Sequence, residues 1–183
     1  MPLIVNPTKF PDVKVLEPKL FTDERGLFYE SFNHREFQQA TGLNLNFVQD
    51  NHSKSKKDVL RGMHFQIKHP QGKLVRVVTG SVYDVVVDLR RASKQFGEWF
   101  AIELSEQNMK QLWIPPGYAH GFIVTSDTAE VIYKTTDYWF PEFERTLLWC
   151  DSKIAITWPT CQSPILSNRD MAGQIFENIE YYS

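Results

Sequence analysis

The most regular pattern in the chain is a succession of short runs rich in branched and aromatic residues, each closed by polar residues or by glycine and proline. KLVRVVTGSVYDVVVDL holds two such runs joined near Thr79-Gly80-Ser81, and the glycine between branched residues predicts a hairpin. EWFAIEL, QLWIP, AHGFIV and AEVIYKTT follow as further strands, and WCDSKIAITWP is expected to supply the last one. Ahead of them, VKVLEPKLFTDERGLFYESF predicts two extended pieces around a turn at Asp23-Glu24-Arg25-Gly26. Helical signals are few. Asn33 with Glu36 three residues later is a capping pattern and Gly42 a stop, which together predict a short surface helix from His34 to Thr41. Beyond a loop bracketed by Pro159 and Pro164, Asn168 or Asp170 opens a second short helix. Many short strands with little helix indicate a mainly β sandwich or barrel.

Composition narrows the class of partner. The 183 residues show no composition break, low-complexity tract or repeat, so one domain over 1–183 is expected. Aromatic residues make up 14%, with 13 Phe and 7 Tyr, which favours sheet surfaces and aromatic-lined pockets over a helical bundle. Twenty basic and 22 acidic side chains give a net charge of -2, which supplies no field to draw the protein onto nucleic acid or an anionic membrane. The opening MPLIVNPTKF is a poor signal peptide and no uncharged apolar run reaches 18 residues, so a cytoplasmic setting is expected. Cys150 and Cys161 lack metal or redox spacing and read as reduced, structural residues.

Two histidines carry the candidate chemistry. In LRGMHFQ, strand alternation sets His64 on the opposite face from Met63 and Phe65; if those two pack outside a barrel lumen, His64 projects into it. The competing reading is an ordinary interior histidine. Arg61 lies three residues earlier, an odd separation that need not place both on one side and leaves another face or another subunit open to Arg61. His120 follows the Pro115-Pro116-Gly117 turn, which feeds it directly into a strand. A histidine base needs a carboxylate to fix its tautomer, and Asp170, Asp84 and Asp88 all qualify formally. Arg25, Arg61, Lys73 and Arg169 are dispersed, either as a solvated surface or converging on phosphate or a sugar oxyanion in three dimensions. The paired histidines typical of a metal-dependent cupin oxygenase or isomerase are missing, because Phe65 and Gln66 follow His64 and neither His52 nor His69 repairs the spacing.

Taken in order, FTDERGLFYESFN, FVQDNHS, LRGMHFQ, QGKLVRVVTGSVYDVVVDLR, WIPPGYAHGF, YKTTDYW and the late NRD resemble the dTDP-4-dehydrorhamnose 3,5-epimerase family over nearly the whole chain. LRGMHFQ with PPGYAHGF is the specific combination; PPGYAH alone marks only a cupin-like turn. The resemblance implies a cupin-type jelly-roll β barrel with short peripheral helices and no cofactor or metal. It implies His64 as base, Asp170 as its orienting carboxylate, Tyr133 as proton donor and Lys73 near the sugar C4 oxygen. It further places Arg25, Glu30, Gln49, Asp50, Asn51, Arg61, His120, Glu144 and Arg169 on substrate-contacting positions, with Tyr138 and Trp139 as an aromatic pocket. The implied partners are a dTDP-linked 4-keto-6-deoxy sugar and a second copy of the chain, in a homodimer whose neighbouring subunit contributes to each site. Met63 stands where leucine is usual, Phe65 for tyrosine, Arg169 where lysine is frequent and Trp139 where a second tyrosine is common; the last touches specificity more than reaction type. An epimerase acting at C3 or C5 alone and a non-enzymatic sugar-binding cupin are the alternatives.

Overall fold

The computed structural model describes residues 3–159 and 163–183. Two antiparallel sheets face each other. One holds six strands in the order β1 (Leu3–Pro7), β2 (Lys14–Pro18), β10 (Gln111–Ile114), β7 (Lys73–Thr79), β12 (Thr128–Thr135) and β5 (Gln49–Lys56). The other holds five: β13 (Glu144–Thr146), β6 (Leu60–Gln66), β11 (Tyr118–Val124), β8 (Ser81–Asp88) and β9 (Trp99–Ser105). From β5 to β13 the chain repeatedly crosses from one sheet to the other, the path of the expected jelly roll.

The inward stripe of each strand explains both the core and the opening beside it. Val75 and Val77 of β7, Phe122 and Val124 of β11, and Ala129 and Val131 of β12 point between the sheets and pack with Val82, Val86 and Leu104. Along the same stripes, two residues away, stand Lys73, His120 and Tyr133, so the apolar core gives way to polar side chains at one end of the sandwich. Met63 and Phe65 lie in a second cluster on the outer side of the five-stranded sheet, with Val85, Val87 and Leu147, under Ile154, Phe176 and Ile179. His64 is thereby turned inward, as its alternation requires.

The predicted helix is present as α1 (His34–Thr41): the Asn33 side chain accepts from the Glu36 amide at 3.3 Å, and Gly42 closes it in the left-handed region at φ 73°. A second helix, α2 (Asn168–Met171), is capped by Ser167. The turn at Asp23–Gly26 joins β3 (Phe21–Asp23) to β4 (Gly26–Phe28) in a hairpin that stands exposed from the body.

Three expectations are corrected. β7 and β8 are not a hairpin: β7 pairs with β10 and β12, whereas β8 pairs with β9 and β11. Only Gly80 separates them, one residue fewer than the shortest common hairpin loop, so the chain arches into the opposite sheet. WCDSKIAITWP forms no strand. Its Asp151 carboxylate accepts from the amides of Lys153, Ile154 and Phe176, and Ala155 sits at φ 49°, which breaks any extended run. Cys150 is a free thiol as expected but exposed, not a buried packing residue; Cys161 lies outside the described residues.

Candidate active site

The polar end of the sandwich holds a cavity of about 400 Å³ with walls drawn from both sheets. Asn51, Lys73 and Tyr133 come from the six-stranded sheet; Arg61, His64, His120 and Glu144 come from the five-stranded one; Arg169 and Asp170 enter from α2. Tyr133 is registered opposite Val75, two residues from Lys73 on the same face, so these two are diagonal neighbours on the wall facing His64.

His64 Nε2 lies 2.5 Å from Asp170 Oδ1, a contact between residues 106 positions apart. Asp170 is 3% exposed, and its other oxygen accepts from the Ser167 hydroxyl at 2.8 Å, so the carboxylate is held on both sides. Burial pushes the Asp170 pKa up, but the hydrogen bond and charge of His64, the Ser167 hydroxyl and the Arg169 charge outweigh it and leave the group below the usual carboxylate value. With the Nε2 hydrogen committed to Asp170, Nδ1 carries the imidazole's lone pair, and the Arg169 guanidinium lies against it at 3.4 Å. Burial lowers the His64 pKa; Asp170 and Glu144 oppose that, and the guanidinium of Arg169, 3.1 Å from Nε2 and 3.4 Å from Nδ1, reinforces it. The net effect keeps the ring neutral near pH 7.

The other titratable groups are shifted by the same dry surroundings. Lys73 is pulled down to about 8 by burial, against the pull of Glu144 and Asp84, and its Nζ donates to the His64 carbonyl at 3.3 Å. Burial and Glu144 raise Tyr133, so it keeps its proton. The facing sides of this cavity thus carry a neutral imidazole, a buried amine and a protonated phenol, a set suited to moving protons at carbon next to a polarised carbonyl.

The model of the dTDP-4-dehydrorhamnose 3,5-epimerase family matches residues 7–178. A dTDP-4-dehydrorhamnose 3,5-epimerase from Shigella flexneri is 53% identical over 176 residues, covering 96% of this chain and 97% of its own. The chain belongs to the dTDP-4-dehydrorhamnose 3,5-epimerase family. The structure of a family enzyme from Legionella pneumophila, in complex with dTDP-4-keto-L-rhamnose, superposes with a TM-score of 0.95 at 44% identity and covers 97% of this chain and 95% of that one. ChmJ, a 3'-monoepimerase from Streptomyces bikiniensis in complex with dTDP-quinovose, superposes at 0.88 with 29% identity over 94% of this chain and 87% of its own.

Of the positions that the family resemblance singled out, Gln49, Asn51, Arg61, His64, Lys73, His120, Tyr133, Trp139, Glu144, Arg169 and Asp170 line one cavity. Arg61, whose face the spacing left open, shares it. His120 pairs with His64 and Phe122 with Arg61, so two steps along β11 match three along β6, and the extra residue of this bulge returns Arg61 to the inner face. The bulge depends on Gly62, at φ 136°, where a Cβ would lie 2.5 Å from the Gly121 Cα.

Four positions lie elsewhere in the single chain. Asp50 points to the outer face of β5, where it pairs with Lys134 at 2.9 Å, because alternation sends Gln49 and Asn51 inward. Arg25 is at the tip of the β3–β4 hairpin, its side chain 90% exposed and paired with Asp23. Glu30 follows that hairpin and accepts from Asn33, and Tyr138 is exposed outside the cavity. The three formal carboxylate candidates separate cleanly: Asp170 meets His64, Asp84 meets His120, and Asp88 binds Arg90. Ser167 was not anticipated as a site residue, although its position three before Asp170 is itself a capping signal. Among the described residues, no three His, Cys, Asp or Glu side chains converge in a way that would hold a metal ion.

Proposed function

We propose that this chain, acting as one domain, converts dTDP-4-dehydro-6-deoxy-D-glucose to dTDP-4-dehydro-L-rhamnose by removing and returning protons at C3 and C5. The carrying observation is the His64–Asp170 pair on one wall of the cavity, with Tyr133 and Lys73 together on the other. The C4 ketone makes hydrogens on C3 and C5 acidic because the charge left behind moves onto oxygen as an enolate. Neutral His64 takes the proton, and Asp170 supports the imidazolium that results. Lys73, protonated below about pH 8, faces the charge growing on the C4 oxygen. Tyr133 returns a proton from the opposite face and inverts the carbon. No step calls for a redox or metal cofactor.

The exposed β3–β4 hairpin fits a homodimer. Phe21, Leu27 and Phe28 are uncovered on it beside Arg25, a combination that suits insertion of the hairpin into a second copy, carrying Arg25 toward that copy's cavity to meet the anionic nucleotide, with Glu30 following as an acceptor for hydroxyl or N–H groups. Weakening of nucleotide-sugar binding by Arg25→Ala, with His64 chemistry intact, supports this arrangement, and an equilibrium monomer at working concentration removes it.

Incubation with dTDP-4-dehydro-6-deoxy-D-glucose in deuterated water, followed by NMR of the product, tests the reaction and reads the carbon at the same time. Deuterium at both C3 and C5 is expected. Label at one carbon alone would move the reading to a monoepimerase, for which the shared fold with ChmJ provides precedent, and binding without exchange at either carbon would leave a non-catalytic sugar-binding protein. In Tyr133→Phe, exchange is expected to outlast net inversion.

A further inference from the structure

Gln66 lies two residues past His64 on the same strand and is 3% exposed, yet it does not line the cavity. All of its amide is used on backbone. Nε2 donates to the carbonyls of His69 at 2.7 Å and Tyr138 at 3.1 Å, and Oε1 accepts from the Phe140 amide at 2.7 Å. Two further glutamines hold the same short segment: Gln71 donates to the Asp137 carbonyl at 2.9 Å, and Gln49 accepts from the Trp139 amide at 3.2 Å. A segment with no strand pairing of its own is therefore held at four consecutive residues by side chains from three separate places in the fold.

What the segment carries gives the arrangement its meaning. Trp139 lines the cavity, and its indole N–H donates to Glu144 Oε2 at 2.9 Å. The same carboxylate oxygen binds Arg169, whose guanidinium lies against the His64 ring. We propose that Gln66 is a positioning residue for this cavity: its amide fixes Tyr138–Phe140 so that Trp139 stands as a rigid outer wall and keeps Glu144 and Arg169 in place for substrate. The inference rests on the epimerase reading and adds a residue that touches no reacting atom. Only an amide fits the position, since two backbone carbonyls need donors and one backbone N–H needs an acceptor. A carboxylate there would face two carbonyl oxygens, and an aliphatic side chain would leave all three backbone groups without their partner.

The experiment uses the full chain with dTDP-4-dehydro-6-deoxy-D-glucose and compares Gln66→Leu, Gln66→Glu, Trp139→Phe and the Gln66→Leu/Trp139→Phe double variant. Because Ser167 holds the His64–Asp170 pair independently of the segment, both Gln66 variants are expected to raise KM about tenfold or more with kcat changed less than about threefold. Once Trp139 is already Phe, Gln66→Leu should cost much less, since both changes act through one wall. Kinetic constants within twofold of the wild type, a loss confined to kcat, or losses that multiply independently would each overturn the role. If Gln66→Leu fails to fold, Gln66→Glu in the wild-type and Trp139→Phe backgrounds completes the same cycle. A wild-type protein that turns nothing over refutes the epimerase reading itself, whereas an active wild type with additive variants refutes only the positioning role.

Discussion

His64 and His120 are cross-strand partners on β6 and β11, and each ring is hydrogen-bonded to an aspartate, yet the two pairs are built differently. His120 Nε2 is gripped by both oxygens of Asp84, at 3.0 and 2.9 Å, and both residues come from adjacent strands of one sheet. Its side chain is 7% exposed and Asp84 is fully buried, so the pair is part of the wall. His64 receives a single oxygen from a carboxylate delivered by a distant helix, and its side chain remains 21% exposed at the cavity. One pair is locked into a sheet, whereas the other is oriented and still open to a ligand. The difference teaches that a histidine–carboxylate contact alone does not separate the two rings; what sets the proposed base apart is its exposure to the cavity.

The largest expected effect lies on the open pair. His64→Asn should lower kcat by on the order of 10²- to 10⁴-fold and abolish deuterium exchange at both carbons, with nucleotide-sugar binding largely kept. Normal exchange at both carbons in that variant would transfer the base to another residue and erase the contrast. Asp170→Asn removes the charge that orients and supports the imidazole, and a fall in kcat on the order of 10²-fold is expected from steady-state rates. His120→Leu should separate from both. It strands the Asp84 carboxylate beside apolar neighbours, so thermal or urea unfolding should show a loss of about 3–5 kcal/mol, with a smaller effect on kcat than either change at the open pair. A larger kcat loss at His120 than at His64 would invert the assignment.

The smallest expected effect is in the pH profile. As the proposed base His64 must be neutral, and burial with Arg169 lowers its pKa, so activity should be lost as pH falls through a value below 6.5. In the proposed reaction Lys73 is charged where it faces the enolate oxygen, so activity should also fall as pH rises through about 8. Arg169→Leu removes a cation from beside the ring and should move the acid limb to higher pH in kcat/KM profiles. A limb that stays put would mean that the guanidinium does not act on the His64 charge.

Much of the site was legible before the fold. Pattern alone placed His64 opposite Met63 and Phe65, and resemblance named Asp170, Tyr133 and Lys73, all of which meet in one cavity. Strand β5 was harder to see because QDNHSKSK contains no branched residue and no Phe, Tyr or Trp: of its inward positions, Gln49, Asn51 and Ser53 line the cavity, and Ser55 accepts from Arg61 Nε at 3.0 Å. Alternation left Arg61 open, because a bulge adds a residue that it cannot anticipate, whereas the resemblance put Arg61 among the substrate-contacting positions. The clamp at Gln66 carries no local signal, since its partners lie at His69, Tyr138 and Phe140.

The sequence by itself determined what depends on neighbours along the chain: the limits of α1, set by Asn33, Glu36 and Gly42, the turn around Asp23–Gly26, and the placing of His64 on the face opposite Met63 and Phe65. The tertiary structure alone decided which sheet β8 joins, which of Asp170 and Asp84 reaches which histidine, and that Trp139 lines the cavity while Tyr138 does not. Caps, turns and alternation are set by contacts within about four residues, which the order of side chains spells out directly. Pairing between positions 36 to 106 residues apart depends on how the two sheets bury their apolar faces together, and no short stretch of the chain contains that information.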